Sequence, residues 1–477
     1  MKKNKSRILI VNPGYHKSIW TAYLPPGPGY LCESLDENGI ENDFFDMNLY
    51  SYKNLIKKIK RFKPDYIGIP MMTYDYMNHY IFIDELKKAF SRIKIIMGGP
   101  HVALFGEKIM EQCSGVDILV IGEGERTIVE IAKNKPLRKI DNLIYRQGKK
   151  VIRTKSGEYI QDLDKLPFPK YKKFKIGKYQ GNMIPIISSR GCPYSCTYCA
   201  AHLSVGKKVR ARSAKNVVDE IEYWYKKGYM LFNFYDDNFT FYKERVYEIC
   251  DEIEKRGLKG LNLDGGNDVR ADTIDYALLK RMKEVGWTAL SIGVEAASDK
   301  MLKIIKKGED IKTIEKAIKN ATDLGYSTTL YFIIGFPRQT VKDIEETFKL
   351  AIKYPVSNVY LYPIIPYPGT EMFEEIKRNG RFFYEPEQYL NSKLQMEDVV
   401  IFETPEINRK QREILFKRAK KISSKVKRNF LIERYSRIFP FNYIAAALIS
   451  NQKIENFIYA NRLLKKVGWD IETKTTR

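Results

Sequence analysis

Three of the six cysteines in this chain stand within eight residues of one another. They are Cys192, Cys196 and Cys199, and they closely follow the apolar run at residues 183–187. Thiolates so close in sequence can surround one metal centre, and they favour soft metals. When three thiolates bind a cubic iron-sulfur cluster, its fourth iron has no protein ligand and is free to bind another molecule. The spacing therefore predicts a metal centre that can carry out chemistry.

Two other interpretations of this segment remain open. His202 follows Cys199 by three residues and would complete a Cys3His set, and structural zinc sites prefer four protein ligands. Three inert, buried cysteines are the second alternative. However, Pro193, Ser195 and Thr197 between the cysteines are typical of a surface turn, which favours a functional loop.

The pattern Cys-x3-Cys-x2-Cys, with the aromatic Tyr198 before the last cysteine, resembles the signature of the radical S-adenosylmethionine (SAM) enzymes. This resemblance implies that Cys192, Cys196 and Cys199 bind a [4Fe-4S] cluster whose open iron chelates SAM. It also implies that an electron from the cluster cleaves SAM to a 5'-deoxyadenosyl radical. An external electron donor such as flavodoxin or ferredoxin is therefore an expected partner.

The first part of the chain alternates apolar runs with helical patterns. The predicted strands comprise residues 8–12, 41–46, 66–70, 94–97 and 118–121. Strands separated by helices imply a parallel sheet with helices on both faces. Ligands of such sheets bind beyond the carboxyl ends of the strands, where glycines allow the backbone to approach them closely.

This region resembles the Rossmann-like (flavodoxin-like) cobalamin-binding domain that precedes the radical domain in one large branch of the superfamily. The matching pieces are residues 25–31, 97–102 and 122–127. The resemblance implies cobalamin contacts at Gly98, Gly99, His101, Gly122 and Glu123. The chain lacks the Asp-x-His-x-x-Gly loop whose histidine binds cobalt in mutase-type domains, which argues against histidine ligation more than against cobalamin. A flavodoxin-like domain without the corrin is the alternative.

The strand-helix alternation resumes in the second part of the chain. The predicted strands comprise residues 183–190, 230–236, 260–264, 288–295, 328–336 and 358–365. Six units are too few for a complete eightfold barrel, but they suit the partial (β/α)6 TIM-type barrel of the radical SAM family. We therefore predict an α/β chain of four parts. They are a cobalamin-binding-like domain at 1–140, a linker at 141–182, the barrel at 183–404 and a basic helical region at 405–477.

Polar residues follow the second and third barrel strands. Asp236 and Asp237 stand where many family members have Gly-Gly-Glu, and the resemblance implies that they receive the methionine amino group of SAM. Carboxylates accept hydrogen bonds from an ammonium, but a solvated helix-capping pair is the alternative. By resemblance, Arg270 could bind the methionine carboxylate through its bidentate fork. It could equally pair with Asp272.

Glu295 and Gly335 complete the predicted SAM site. Glu295 ends a strand that is otherwise uncharged, and a buried carboxylate needs a partner. The ribose hydroxyls of SAM would supply two donors, and a structural ion pair is the alternative. Gly335 ends the fifth barrel strand, where the resemblance implies backbone close to the adenine. Glycine is also common in ordinary turns, and a turn would explain this residue equally well.

The resemblance covers about residues 7–370, and the nearest pattern is the branch that includes the anaerobic magnesium-protoporphyrin ester cyclase. It implies an enzyme that uses SAM, the cluster and cobalamin to methylate an unactivated atom of a natural-product or lipid-like substrate. A radical oxidoreductase or cyclase without methyl transfer is the alternative within enzymes. A cobalamin- or zinc-binding sensor is the alternative outside them.

The net charge of +24 is concentrated toward the end of the chain, where residues 409–477 contain 18 Lys or Arg against 5 Asp or Glu. No nucleic-acid motif accompanies the charge, so we expect no nucleic-acid partner. The basic region predicts a helical lid on the barrel. Alternatively, it is an interfacial segment on anionic lipid that includes the apolar residues 438–449. Neither a signal peptide nor a membrane span is recognisable, and a cytoplasmic protein with free or metal-bound cysteines is expected.

Overall fold

The computed structural model describes residues 5–14, 22–391 and 399–436. The apolar segment 438–449 lies outside the described residues. The described chain is built on two large sheets, one in each of the predicted domains. Among the described residues, no helix combines the length and the apolar character needed to cross a membrane.

The first sheet has seven strands in the order β2-β1-β3-β4-β5-β6-β7. They are β1 (Ile8–Asn12), β2 (Asn42–Asp46), β3 (Tyr66–Pro70), β4 (Lys94–Gly98), β5 (Ile118–Val120), β6 (Leu143–Gln147) and β7 (Lys150–Arg153). Strands β1 to β5 pair in parallel, as the strand-helix alternation predicts. Four consecutive residues of β1, from Ile8 to Val11, are completely buried, because helices cover both faces of the sheet.

The helices of this part of the chain are mostly crossover connections between the parallel strands. They are α1 (Pro26–Glu37), α2 (Tyr52–Phe62), α3 (Tyr76–Ala89), α4 (Pro100–Phe105), α5 (Lys108–Gln112) and α6 (Glu125–Ala132). Helix α2 begins with a capping box at Ser51 and Asn54 and turns only Leu55 and Ile59 fully inward. This narrow apolar face is typical of a helix that covers the outside of a sheet.

Strands β6 and β7 were not predicted, and they lie in the stretch assigned to a linker. They form an antiparallel hairpin around Gly148, which adopts a φ of +61°. The hairpin pairs with β5 and extends the first sheet to Arg153, past the predicted boundary at residue 140. Only the β6 side chains are deeply buried, so the apolar pattern of this edge is weak and sequence periodicity does not detect it.

The second sheet has six parallel strands whose order follows the chain, β15-β14-β13-β12-β11-β8. They are β8 (Ile184–Ile186), β11 (Leu231–Phe234), β12 (Asn262–Val269), β13 (Trp287–Glu295), β14 (Ser327–Ile334) and β15 (Asn358–Pro363). Two-stranded ribbons flank this sheet: β9 (Ser189–Arg190) with β10 (Arg210–Ala211), and β16 (Arg381–Phe382) with β17 (Phe402–Glu403). The predicted open barrel of six units is confirmed.

The helices of the barrel part follow the strands in turn. They are α7 (Ala201–Val205), α8 (Ala214–Tyr225), α9 (Lys243–Lys255), α10 (Tyr276–Glu284), α11 (Asp299–Ile304), α12 (Ile311–Asp323), α13 (Val341–Ala351), α14 (Glu371–Asn379), α15 (Pro386–Tyr389) and α16 (Arg409–Ser436). Buried and half-buried side chains alternate strictly along β14. The buried set packs against the helices, and the half-buried set faces the open interior of the barrel.

Helix α16 is the described part of the predicted basic region, and it packs on the barrel. Leu415, Phe416 and Ala419 are buried in the common core. Arg412 is only 1% exposed and donates to the carbonyl oxygens of Gly335 and Ile407. These contacts support the interpretation of this segment as a helix packed on the barrel.

Candidate active site

The three clustered cysteines lie in one loop between β9 and α7, at the carboxyl end of the first barrel strand. All three thiols are free and half-buried. Thr197 fixes the middle of the loop, since its N–H donates to Ile305 O (3.0 Å) and its carbonyl accepts from Met372 N–H (3.0 Å). The loop is thus held by two segments that follow other barrel strands.

Gly191 sets the direction in which the chain enters this loop. Its φ is +99°, and a Cβ atom there would lie 2.3 Å from the carbonyl oxygen of Lys208. The backbone at Lys208, just before β10, therefore approaches the loop so closely that only glycine fits at position 191. The N–H of Gly191 donates to the carboxylate of Asp237 at 3.0 Å.

The donor set fits an iron-sulfur cluster better than a zinc ion. Among the described residues, no three His, Cys, Asp or Glu side chains converge on one ion, so His202 does not complete a zinc site with the cysteines. In a four-iron cluster each cysteine binds a different iron, and the thiolates need not converge on one point. Burial raises the pKa of the three thiols, to about 11 for Cys199. A positively charged metal centre would offset that cost.

Asp236 accepts hydrogen bonds from the segment that leads into the cysteine loop. It is 1% exposed, and its carboxylate accepts hydrogen bonds from the N–H and hydroxyl of Ser188 and from the hydroxyl of Ser189. Hydrogen bonds from the serines before the cysteine loop thus reach both oxygens of Asp236, and its predicted contact with SAM stays a prediction. Asp237 is better placed, since it borders a large cleft as well as holding Gly191. Burial raises its pKa.

Arg270 lies against the cysteine loop, but its donors have protein partners. Its guanidinium makes a two-pronged contact with Asp272 (3.0 and 2.8 Å) and donates to Lys307 O at 2.6 Å. The guanidinium carbon lies 3.5 Å from the ring centroid of Tyr194 in the loop. The predicted alternative, an ion pair with Asp272, is what the structure shows.

Glu295 has a protein partner that the sequence did not reveal. Its Oε1 lies 3.1 Å from the Nζ atom of Lys307, and both side chains are at most 8% exposed. Burial alone would lower the pKa of Lys307, but the carboxylates of Glu295 and Glu309 raise it. The structural ion pair therefore explains the buried carboxylate without ribose hydroxyls. Glu295 adopts a φ of +65°, a strained conformation for a glutamate.

Lys307 is the site residue that sequence reasoning missed. Its ammonium is close enough to Cys196 to lower the pKa of that thiol against the effect of burial. The only sequence signal is the tripeptide Lys306-Lys307-Gly308 after α11, and it does not distinguish a buried lysine from an exposed one.

The backbone N–H and carbonyl of Gly335 also have protein partners. Its N–H donates to the side-chain oxygen of Gln339 at 2.6 Å, and its carbonyl oxygen accepts from Arg412 at 2.8 Å. A Cβ atom at this position would lie 2.5 Å from the Arg412 guanidinium. Arg412 of α16 thus lies against this turn, and the predicted backbone contact with adenine stays a prediction.

A cleft lies between the carboxyl edge of the first sheet and the entrance to the cysteine loop. Predicted cobalamin residues border it on one side and barrel residues on the other: Gly98, Gly99, Gly122, Glu123, Arg190 and Asp237. Gly99 adopts a φ of +95°, and its Cβ would lie 2.8 Å from the Met71 carbonyl oxygen. A Cβ at Gly27 would meet no atom within 4 Å. The glycines thus leave backbone, rather than side chains, at this border of the cleft, which suits a ligand that approaches closely.

His101 does not face this cleft. It is completely buried, and its Nε2 lies 2.6 Å from the hydroxyl of Tyr80. Its ring packs against Tyr76 and Phe105, and burial lowers its pKa to about 3. The predicted cobalamin contact is therefore not supported. Helix α4 begins at Pro100 and turns His101 into the core of the first domain.

Charged side chains cross the cleft and join the two domains. Arg190 donates to Glu123 (3.0 Å) and to Glu125 (2.6 Å), and Arg210 donates to Glu123 (2.7 Å). Burial alone would raise the pKa of Glu125, but Arg190 lowers it overall. Glu123 is therefore part of an ion network at the border of the cleft, rather than a free group within it.

Comparison with known proteins matches both halves of the chain. A family model described as the radical SAM superfamily matches residues 186–351, and one described as a B12 binding domain matches residues 21–132. An uncharacterized methyltransferase of Pyrococcus horikoshii is 31% identical over 387 residues, which are 77% of this chain and 82% of that protein.

Two further comparisons extend the likeness. The anaerobic magnesium-protoporphyrin IX monomethyl ester cyclase of Cereibacter sphaeroides is 26% identical, over 79% of this chain and 64% of that protein. The solved structure of the cobalamin-dependent SAM radical enzyme OxsB, with aqua-cobalamin and SAM bound, matches with a TM-score of 0.71. That match covers 98% of this chain and 75% of OxsB at 16% identity, and it shows a shared fold.

Proposed function

Because the chain belongs to the radical SAM superfamily and carries its B12-binding domain, we propose that it is a cobalamin-linked radical SAM methyltransferase. Its substrate would be a natural-product or lipid-like molecule with an unactivated atom. The observation that carries the proposal is the cleft, because it joins the glycine-rich edge of the first sheet to the entrance of the cysteine loop. The relatives described as methyltransferases support the choice of reaction.

Cys192, Cys196 and Cys199 would hold a [4Fe-4S] cluster with SAM on its open iron. Once bound, the cluster and SAM supply a carbon-centred radical, and cobalamin supplies a methyl group for transfer. The protein positions these groups. Gly191 and Asp237 fix the entry to the loop, and the backbone hydrogen bonds of Thr197 hold its middle.

Gly98, Gly99 and Gly122 would lie under the cobalamin in the proposed arrangement. They stand on the wall of the cleft that the first sheet forms, where side chains would obstruct a flat ring. The histidine ligand of mutase-type domains is absent from the sequence, and the buried His101 cannot take its place. This loop would therefore supply no histidine to the bound cobalamin.

A radical oxidoreductase or cyclase without methyl transfer is the second candidate, and the similarity to the cyclases favours it. The two reactions differ in their products. Methyl transfer gives S-adenosylhomocysteine beside 5'-deoxyadenosine, whereas hydrogen abstraction alone gives 5'-deoxyadenosine and methionine. Quantifying both nucleosides after turnover separates the candidates.

Three finer points belong to the same proposal. An external flavodoxin or ferredoxin would reduce the cluster, and the protein would act in the reducing cytoplasm. The packing of α16 on the barrel favours a structural role for that helix. Contact of the basic region 405–477 with anionic lipid is the other interpretation, and liposome pelleting with and without these residues would detect it.

The test is anaerobic reconstitution with iron and sulfide, followed by spectroscopy and a SAM cleavage assay. We expect a four-iron signal that dithionite reduces, and 5'-deoxyadenosine from the wild type but not from Cys196→Ala. Cys250→Ala, a buried cysteine on α9, is the matched control and should retain both signals. Bound zinc without SAM cleavage would overturn the proposal.

A further inference from the structure

The cysteine loop reaches the protein surface between its first two cysteines. Pro193 and Ser195 lie in this part of the loop, and both residues are exposed. Pro193 directly follows Cys192, and Ser195 directly precedes Cys196. The surface therefore comes within one residue of two of the three proposed cluster ligands.

Three aromatic side chains continue this surface. The ring centroid of Tyr194 lies 6.4 Å from that of Phe241, and the Phe241 ring meets the Tyr242 ring edge-on at 4.8 Å. Tyr242 is 42% exposed, and its hydroxyl donates to the carbonyl oxygen of Val209 at 3.4 Å. Together with Pro193 these three residues form what we call the aromatic patch. Surface aromatic residues are enriched at protein-protein interfaces.

Two lysines border the aromatic patch. Lys207 donates to the hydroxyl of Ser195 in the loop at 3.3 Å. Lys208 precedes Val209, whose carbonyl oxygen accepts from the patch, and its own ammonium donates to the side-chain oxygen of Gln161 at 2.9 Å. Both lysines are exposed. Their partners are a hydroxyl and an amide, so no described carboxylate neutralises either cation.

Two further lysines close to the loop already have carboxylate partners. Lys243 follows the aromatic patch and pairs with Asp275 at 3.1 Å. Lys306 lies beside the middle of the loop and pairs with Glu371 at 2.7 Å. Among the described lysines around the loop, the uncompensated charge therefore stands at the border of the aromatic patch.

An aromatic centre with a basic border, beside two cluster ligands, suits an electron-transfer partner. The proposed cluster needs one electron from outside the protein, and electrons pass efficiently between proteins only over short distances. A small acidic protein would meet complementary charge at the two lysines. The net charge of +24 would attract the same partner from a distance. A patch of this modest size is sufficient, because electron-transfer complexes are among the smallest interfaces.

We propose that the aromatic patch, with Lys207 and Lys208 at its border, is the docking surface for a small acidic electron donor of the flavodoxin type. This inference rests on the proposed function and adds a partner surface to it. In the electron step the reduced flavin of the donor loses one electron and the cluster gains it. No atom or proton passes between the two proteins.

The experiment compares two ways of reducing the cluster in the reconstituted full chain. In one arm, NADPH, flavodoxin reductase and flavodoxin supply the electron. In the other, excess dithionite reduces the cluster fully before SAM is added. The readout in both arms is 5'-deoxyadenosine. We expect the double variant Lys207→Glu with Lys208→Glu to slow flavodoxin-driven cleavage at least about tenfold, because like charges then face each other. Dithionite-driven cleavage should stay at the wild-type level.

Two further variants locate the surface. Lys53→Glu with Lys60→Glu makes the same change of net charge on α2, where both lysines are exposed. It should slow flavodoxin-driven cleavage less than about twofold, since only long-range attraction is reduced. Tyr242→Ala should weaken flavodoxin binding about tenfold with the iron content unchanged, because the contact loses an aromatic group at its centre.

Titration calorimetry of oxidised flavodoxin into the wild type needs neither a variant nor turnover. We expect binding that weakens as the salt concentration rises. If flavodoxin neither binds nor drives cleavage, or if both double-lysine variants lose the same activity, the proposal is wrong. A wild type that cleaves no SAM even with dithionite would overturn the proposed function instead, and the binding measurements would still decide whether this surface receives the donor.

Discussion

The guanidinium of Arg190 donates a 2.6 Å hydrogen bond to the carboxylate of Glu125, 65 positions away in the sequence. Glu125 begins α6 at the edge of the first sheet, whereas Arg190 ends the ribbon strand that leads into the cysteine loop. Both side chains are at most 12% exposed. The pair therefore fixes the proposed cofactor sites of the two domains relative to each other.

Breaking this pair should destabilise the protein strongly. Arg190→Met leaves Glu125 buried without its partner, and such a loss typically costs about 3–5 kcal/mol. Thermal unfolding should show a clear fall in Tm for Arg190→Met and for Glu125→Gln, with less than additive effects in the double variant.

The exposed pair of Lys319 and Asp323 on α12 is the matched control. Lys319→Ala should leave the Tm close to that of the wild type, because solvent screens surface pairs. An equal effect at both pairs would contradict the role of Arg190 in joining the domains.

Gly191→Ala should disorganise the cysteine loop. The new Cβ would lie 2.3 Å from the Lys208 carbonyl oxygen, at a φ of +99° that alanine adopts only with strain. We expect reconstituted iron and sulfide content to fall at least about tenfold, and stability to fall by more than about 2 kcal/mol. Gly177→Ala, where a Cβ meets no atom within 4 Å, should retain the iron content. Normal iron loading of Gly191→Ala would argue against this geometry.

The stability of the protein should carry a pH dependence from Asp264. Its pKa of about 6 lies above the value of about 3.9 for an unfolded aspartate, so the folded state binds the proton more tightly. The stability from this group is fully present below about pH 4 and is lost as the pH rises through 6. Asp264→Asn should therefore gain on the wild type between pH 4 and 7, by about 3 kcal/mol at most.

Urea unfolding across this pH range checks the prediction. Asp251→Asn removes a surface carboxylate and should follow the wild type in its pH profile. Parallel profiles for the wild type and Asp264→Asn would mean that Asp264 has an ordinary pKa in the folded protein.

Removing Arg412 should loosen α16 from the barrel. Its side chain donates to Gly335 O, Ile407 O and the hydroxyl of Thr404, and Arg412→Met leaves these buried acceptors unsatisfied. Each orphaned acceptor costs about 1–3 kcal/mol. Limited proteolysis should cleave the variant first near residue 409, whereas Arg409→Met, at the exposed start of the helix, should resist like the wild type. Unchanged proteolysis of Arg412→Met would show that the apolar contacts hold the helix alone.

Local patterns predicted the architecture well. Nine of the eleven predicted strands match large-sheet strands to within two residues at both ends. Of the two exceptions, residues 183–190 divide into β8 and β9, and the strand predicted at 260–264 extends to Val269 as β12. This success has a physical reason: a parallel strand buried on both faces is a continuous apolar run, and its crossover helix is amphipathic. The hairpin of β6 and β7 escaped prediction because an edge pairing depends on a neighbour distant in sequence, not on a local period.

By itself, the sequence determined which residues can do chemistry and at which strand ends they stand. The cysteine spacing, the glycines of the first sheet and the polar residues after the barrel strands are all local features. Only the tertiary structure decided which of these groups have protein partners. Lys307 forms an ion pair with Glu295 across a turn, and Ser188 donates a hydrogen bond to Asp236, which follows the neighbouring strand. His101 turns into the core, while Asp264 receives no partner from the described residues. Burial and ion pairing depend on what the fold places beside a side chain, and the identity of that side chain does not contain this information.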